Sequence, residues 1–173
     1  MKGEDIRISS NTSVFRYKSF LVLMNPKGRI VLNMSKESEK LKYSLSSNTL
    51  YVKQQKNFQS TVLQALSGLI NFHDKKLSLV GIGFRAWTYF DKTENCQVLS
   101  VRIGFSKDVL VFIPSDVIVF CLRPTLVLIR GLNKESVGLF GSRLKTIRRP
   151  DLYKGKGIRY EDENVSIKPG KQK

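Results

Sequence analysis

One order of elements occurs twice along this chain, strands first and a helix last, and that repetition excludes most folds. The first copy runs from Ser19 to Asp74. Phe20 to Met24 and Arg29 to Asn33 flank Asn25-Pro26-Lys27-Gly28, which sets Pro and Gly where a hairpin turn needs them. Leu41 to Leu45 and Leu50 to Lys53 make a second strand pair around Ser46-Ser47-Asn48-Thr49. From about Asn57 the spacing changes. Phe58, Val62, Leu66, Leu69 and Ile70 recur at helical steps and share one face, with Asn57 as N-cap.

The second copy is built in the same order. Leu77 to Phe90 and Gln97 to Gly104 read as long strands with alternating character. Val109 to Ile113, Val117 to Leu122 and Leu126 to Arg130 are shorter and nearly all apolar, which predicts central or doubly covered strands. After the turn and cap Gly131-Leu132-Asn133, a helix is expected to about Arg149, with Val137, Phe140, Leu144 and Ile147 on its inner face. The fold class is therefore α+β: two tandem similar domains, each a small, mainly antiparallel sheet packed on one helix. The expected boundaries are residues 1–75 and 76–149, followed by a basic C-terminal extension, 150–173. The first copy has shorter strands and more Ser and Asn, and reads as the divergent one.

Charge narrows the function. Thirty basic against 14 acidic residues leave a net charge of +16 in 173 residues, the footprint of a nucleic-acid binder. A membrane-surface protein would share that charge but needs a basic amphipathic helix or a lipidation signal, and neither is legible. No run approaches the roughly 20 apolar residues that span a bilayer, so membrane insertion is not expected. Met1 to Arg7 shows neither an apolar leader core nor an Arg-rich presequence, which predicts a protein made where it works or seen after processing. Cys96 and Cys121 stand apart, without metal-ligand spacing, and read as buried thiols.

The basic charge concentrates near the C-terminus. Between Arg143 and Arg159 lie seven basic residues, Arg143, Lys145, Arg148, Arg149, Lys154, Lys156 and Arg159, against one acid, Asp151. Such a segment has no apolar stripe to bury and repels itself, so it is expected to order against a polyanion. Phosphate suits it, because each neutralised phosphate releases condensed counterions. Pro150 ends the helix. Gly155 and Gly157 are expected to let bare backbone approach a partner, and Tyr153 and Tyr160 offer rings for stacking.

Pro150-Asp151-Leu152-Tyr153-Lys154-Gly155-Lys156-Gly157-Ile158 resembles the signature of the large-subunit ribosomal protein six family, bacterial and organellar type. The resemblance extends back to about Lys76 and more faintly through the first half. Val80 to Arg85 is similar to that family's Val-Gly-x-Gly-aromatic-Arg run, and Gly104-Phe105-Ser106 to its strand ending. Asp91 to Gln97 makes a longer hairpin than is usual there, and Trp87 stands where a small residue is common. The resemblance implies two similar α+β domains and a structural role in the large ribosomal subunit, with large-subunit rRNA and neighbouring ribosomal proteins as partners. It also implies a place near the factor-binding region, beside the sarcin–ricin loop and the stalk base. The residues expected to meet rRNA are Arg143, Lys145, Arg148, Arg149, Tyr153, Lys154, Gly155, Lys156, Gly157 and Arg159.

Catalysis needs converging groups of tuned acidity, and the sequence offers none. His73, the single histidine, follows a helix and reads as a solvated or capping residue. Glu161-Asp162-Glu163 is the one tight acidic cluster and reads as a solvated spacer or a repeller that keeps the tail off phosphates. Gly81-Ile82-Gly83 lacks the third glycine and the helix of a dinucleotide loop, and is expected to kink a strand and leave room for a packed helix. No enzyme, cofactor, metal or small-molecule substrate is expected. The alternative is a free-standing RNA-binding module or RNA chaperone. The drifted first half and the Phe- and Asn-flavoured composition predict a ribosome of the mitochondrial matrix, with a bacterial cytoplasm or another organelle as alternatives.

Overall fold

The computed structural model describes residues 4–9, 11–34, 41–44, 49–52 and 56–169. The chain divides into two compact units, residues 1–72 with 132–134 and residues 73–131 with 135–173. The class is α+β, as the element order predicts. Among the described residues there are four small antiparallel sheets and two helices.

The first unit begins earlier than the sequence pattern indicated. Strands β1 (Glu4–Arg7) and β2 (Ser13–Tyr17) precede β3 (Phe20–Asn25), β4 (Gly28–Asn33), β5 (Leu41–Ser44), β6 (Thr49–Val52) and helix α1 (Lys56–Ile70). β2, β3 and β4 form one meander, while β6 pairs with both β5 and β1, Ile6 lying opposite Leu50. The expected strand ends Leu45 and Lys53 and the turn 46–48 lie outside the described residues. Alternation along β3 sends Leu21 and Leu23 inward, where they meet Ile6, Ile30, Met34 and the α1 residues Phe58, Val62, Leu66 and Leu69. Ile70 is exposed, contrary to expectation, because the helix ends with it. Asn57 falls inside the first turn of the helix and not before it. The β3–β4 turn satisfies the other end of α1: the Asn25 amide donates to Leu69 O (3.3 Å) and the Lys27 ammonium to Ile70 O. Lys27 thus brings a cation to the negative end of a helix with no basic residue in its last turn.

The second unit contains β7 (His73–Val80), β8 (Arg85–Asp91), β9 (Cys96–Arg102), β10 (Val109–Phe112), β11 (Val117–Arg123), β12 (Leu126–Gly131), α2 (Lys134–Ile147) and β13 (Gly157–Tyr160). They form two sheets, ordered β10-β9-β8 and β11-β12-β7-β13. Val137, Phe140, Gly141 and Leu144 of α2 are buried, and Ile147 packs at the edge of the same core. Three expectations fail here. Leu77 to Phe90 is not one strand, since the chain turns at Gly81–Gly83 and crosses to the other sheet. The Phe84 ring, rather than a helix, fills the space left by Gly81: a Cβ there would lie 2.8 Å from it. β10 and β11 are edge strands with Leu110, Phe112, Ile118, Phe120 and Leu122 exposed, so an apolar run need not be covered on both faces.

Candidate nucleic-acid interface

The C-terminal basic segment is held by its own chain. α2 stops at Ile147, three residues before Pro150, and the strand that follows joins the sheet: Gly157 lies opposite Val80, Ile158 opposite Leu79 and Tyr160 opposite Leu77. Ile158 is buried in the core and its N–H donates to Arg148 O (2.9 Å). Between helix and strand, residues 151–156 close on Asp151. Its N–H donates to Lys156 O and its carbonyl accepts from Gly155 N–H, each at 2.9 Å. Its carboxylate accepts from the backbone N–H groups of Tyr153 (3.2 Å) and Lys154 (3.3 Å), as an aspartate at a turn does. The tail returns to the loop through Lys168 N–H and Leu152 O, 2.8 Å apart.

The two glycines serve this closure. Gly155 is buried with φ +66°, a left-handed conformation that L side chains resist. Gly157 has φ +152°, and a Cβ on it would sit 2.6 Å from Arg149 O and 2.7 Å from Pro150. Both were expected to offer bare backbone to a partner. Within the chain, Gly157 permits a close approach to Arg149 and Pro150, and Gly155 permits the left-handed turn.

The predicted cations fall into two sets. Arg148 and Lys145 are engaged internally. The Arg148 guanidinium donates to Ile103 O (2.5 Å) and lies 5.4 Å from the Phe84 ring centre and 5.5 Å from that of Phe105. Gly104 has φ +80°, which L side chains resist, and a Cβ there would lie 3.1 Å from Arg148 Nη1. Val80 to Arg85, Gly104 to Ser106 and Pro150 to Ile158 therefore meet at one residue, Arg148. Lys145 Nζ donates to both carboxylate oxygens of Glu163 (2.6 and 2.7 Å) and lies 5.2 Å from the Tyr160 ring centre. That hydrogen bond holds the Glu163 carboxyl below its ordinary pKa, outweighing desolvation. Glu161 pairs with Lys76 (3.1 Å). The acidic cluster is thus partly a clamp for the tail and not the solvated spacer that was expected.

The second set faces outward. Arg143, Arg149 and Lys154 are exposed, and Lys156 and Arg159 are half-buried. Tyr153 is exposed beside them, whereas Tyr160 is half-buried with Lys75 and Lys145 near its ring. Among the described residues none of these five cations has an ion pair or a side-chain hydrogen bond. Nor do the described residues hold three His, Cys, Asp or Glu side chains grouped as a metal site. No described helix is long and apolar enough to cross a membrane.

Fold and surface together define a strongly basic α+β protein with exposed cations on a self-closed C-terminal loop. No family model matches the chain. It is 33% identical over 172 residues to "Large ribosomal subunit protein uL6" of Leptothrix cholodnii, covering 98% of this chain and 93% of that protein. The protein of that name from Mycoplasmoides gallisepticum is 32% identical over 176 residues, covering 96% and 92%. That of Rhodopirellula baltica is 40% identical over 113 residues, covering 65% of this chain and 59% of the relative. The chain belongs to the uL6 family of large ribosomal subunit proteins. Membership makes it a structural ribosomal protein and not an enzyme.

Proposed function

We infer that the chain is built into the large ribosomal subunit and holds rRNA through the second unit, with Arg143, Arg149, Lys154, Lys156 and Arg159 on phosphates. The observation that carries this reading is the closed Asp151 loop, which orders the backbone that presents Lys154 and Lys156, neither of them in an ion pair among the described residues. A loop whose backbone is already ordered costs less to immobilise on binding than a mobile tail. Tyr153 supplies a ring for stacking or packing beside them. Lys145 and Arg148 support the surface from within and are not assigned to phosphate. Binding of this kind reads the backbone and shape of folded RNA more than its base edges. Family membership favours a position near the factor-binding region, beside the sarcin–ricin loop and the stalk base, with other large-subunit proteins as neighbours. The relatives named above are bacterial and lend no support to the mitochondrial matrix.

Titrating large-subunit rRNA at several salt concentrations tests the reading. Lys154→Ala with Lys156→Ala should weaken binding and lower the slope of log affinity against log salt by roughly 0.7–0.9 for each phosphate left without its cation. An unchanged slope removes both lysines from the interface.

A further inference from the structure

The outer face of the β2–β3–β4 sheet in the first unit carries exposed aromatic side chains. Strand register sorts them into rows: Ser13, Met24 and Arg29; then Phe15, Val22 and Val31; then Tyr17, Phe20 and Asn33. Alternation sends Leu21, Leu23 and Ile30 into the core and the rows to solvent. Phe15 is 55% exposed, Tyr17 65%, Val31 52%, Met24 43% and Phe20 39%. Phe20 lies directly across the strand pair from Tyr17, and Phe15 is about 7 Å further along, two residues of extended chain. Large apolar side chains gathered on one face mark a binding surface, whereas scattered ones do not.

Charge selects the partner. From Asn11 to Met34 there is no Asp or Glu, against four basic residues, Arg16, Lys18, Lys27 and Arg29. Arg29 is exposed at one end of the outer face. Lys18 forms the turn at the other end with φ 48°, its ammonium 5.6 Å from the Tyr17 ring centre. Flat rings between two cations, with no carboxylate in the segment, fit a strand whose bases stack and whose backbone is anionic.

We propose that this face is a second RNA-contact surface, a stacking platform for unpaired nucleotides. Phe15, Tyr17 and Phe20 lie under the bases, and Lys18 and Arg29 reach the flanking phosphates. The platform rests on the reading that the chain's partner is RNA, but it acts from the other unit and mainly through stacking.

The test uses the full chain and a single-stranded decauridylate probe. Ring resonances of Phe15, Tyr17 and Phe20 should shift on addition of the probe. Phe15→Ala with Tyr17→Ala should weaken probe binding about tenfold or more, since each base–aromatic stack contributes substantially. Phe15→Leu with Tyr17→Leu keeps the face apolar and the fold intact yet should weaken binding to the same degree. Lys154→Ala with Lys156→Ala should leave the ring shifts in place, so the platform and the C-terminal surface fail separately. Absent ring shifts, wild-type affinity in the alanine pair, or full rescue by leucine would each overturn the platform, the last in favour of apolar protein docking.

Discussion

Arg148 shows how a cation in a basic run can be engaged inside the fold. Its guanidinium donates to Ile103 O and lies against the Phe84 and Phe105 rings. Arg148→Ala should therefore cost stability, about 1.5–3 kcal/mol from removal of the charged hydrogen bond alone, while the salt slope of rRNA binding stays at its wild-type value. Chemical denaturation and the salt titration read the two effects apart. Gly157→Ala acts by a different route. At φ +152° the new Cβ strains the backbone and collides with Arg149 O and Pro150, so denaturation should show a loss of about 1–3 kcal/mol or more. Glu163 makes stability depend on pH. Its carboxyl is depressed in the folded chain, chiefly by the hydrogen bond from Lys145, so its contribution is complete at neutral pH and is lost as pH falls through the folded value. Wild type should melt above Glu163→Gln at pH 7, and the gap should close in acid, below the ordinary carboxylate range.

The elements were legible wherever a residue's own spacing carries the signal. The inner faces of both helices read correctly apart from Ile70, because 3.6-residue periodicity is set by burial against a core. β13 was not legible. Gly157-Ile158-Arg159-Tyr160 has one buried aliphatic side chain, and its pairing with β7 is a long-range fact that no window of sequence contains. β10 and β11 misled in the other direction, since composition does not say whether a strand lies at an edge. The candidate site was readable as charge and unreadable as partition. Nothing in the run from Arg143 to Arg159 separates Lys145 and Arg148 from the cations that face outward. The Asp151 loop yields a prediction of its own. Asp151→Asn keeps a side-chain acceptor for Tyr153 and Lys154 while removing a negative charge, so rRNA affinity should hold or rise. Asp151→Ala removes the acceptor, and hydrogen exchange at residues 153–155 should quicken. Its affinity should fall below that of the asparagine variant. Equal affinities for the two would show that loop geometry does not matter.

A charge of +16 on 173 residues has a consequence that no single side chain carries. Spread over both units, it attracts any polyanion, so weak salt-labile binding to RNA is expected of this protein whatever its fixed partner. Structural placement must show itself where that attraction is screened. At about 1 M salt the Debye length is near 3 Å, and binding that relies on exposed charge alone is largely abolished. Attachment that survives must combine cations with packed backbone, stacked rings and protein neighbours. The closed loop offers such a combination, with Tyr153 and Leu152 exposed beside Lys154. Tagged chain sedimented from its native extract through a high-salt sucrose gradient should therefore migrate with the large subunit. The Lys154→Ala, Lys156→Ala variant should stay with the subunit at low salt and leave it at a lower salt concentration than wild type. Wild type recovered only at the top of the high-salt gradient would mark a free-standing RNA binder or chaperone that uses the same charge without a built-in position.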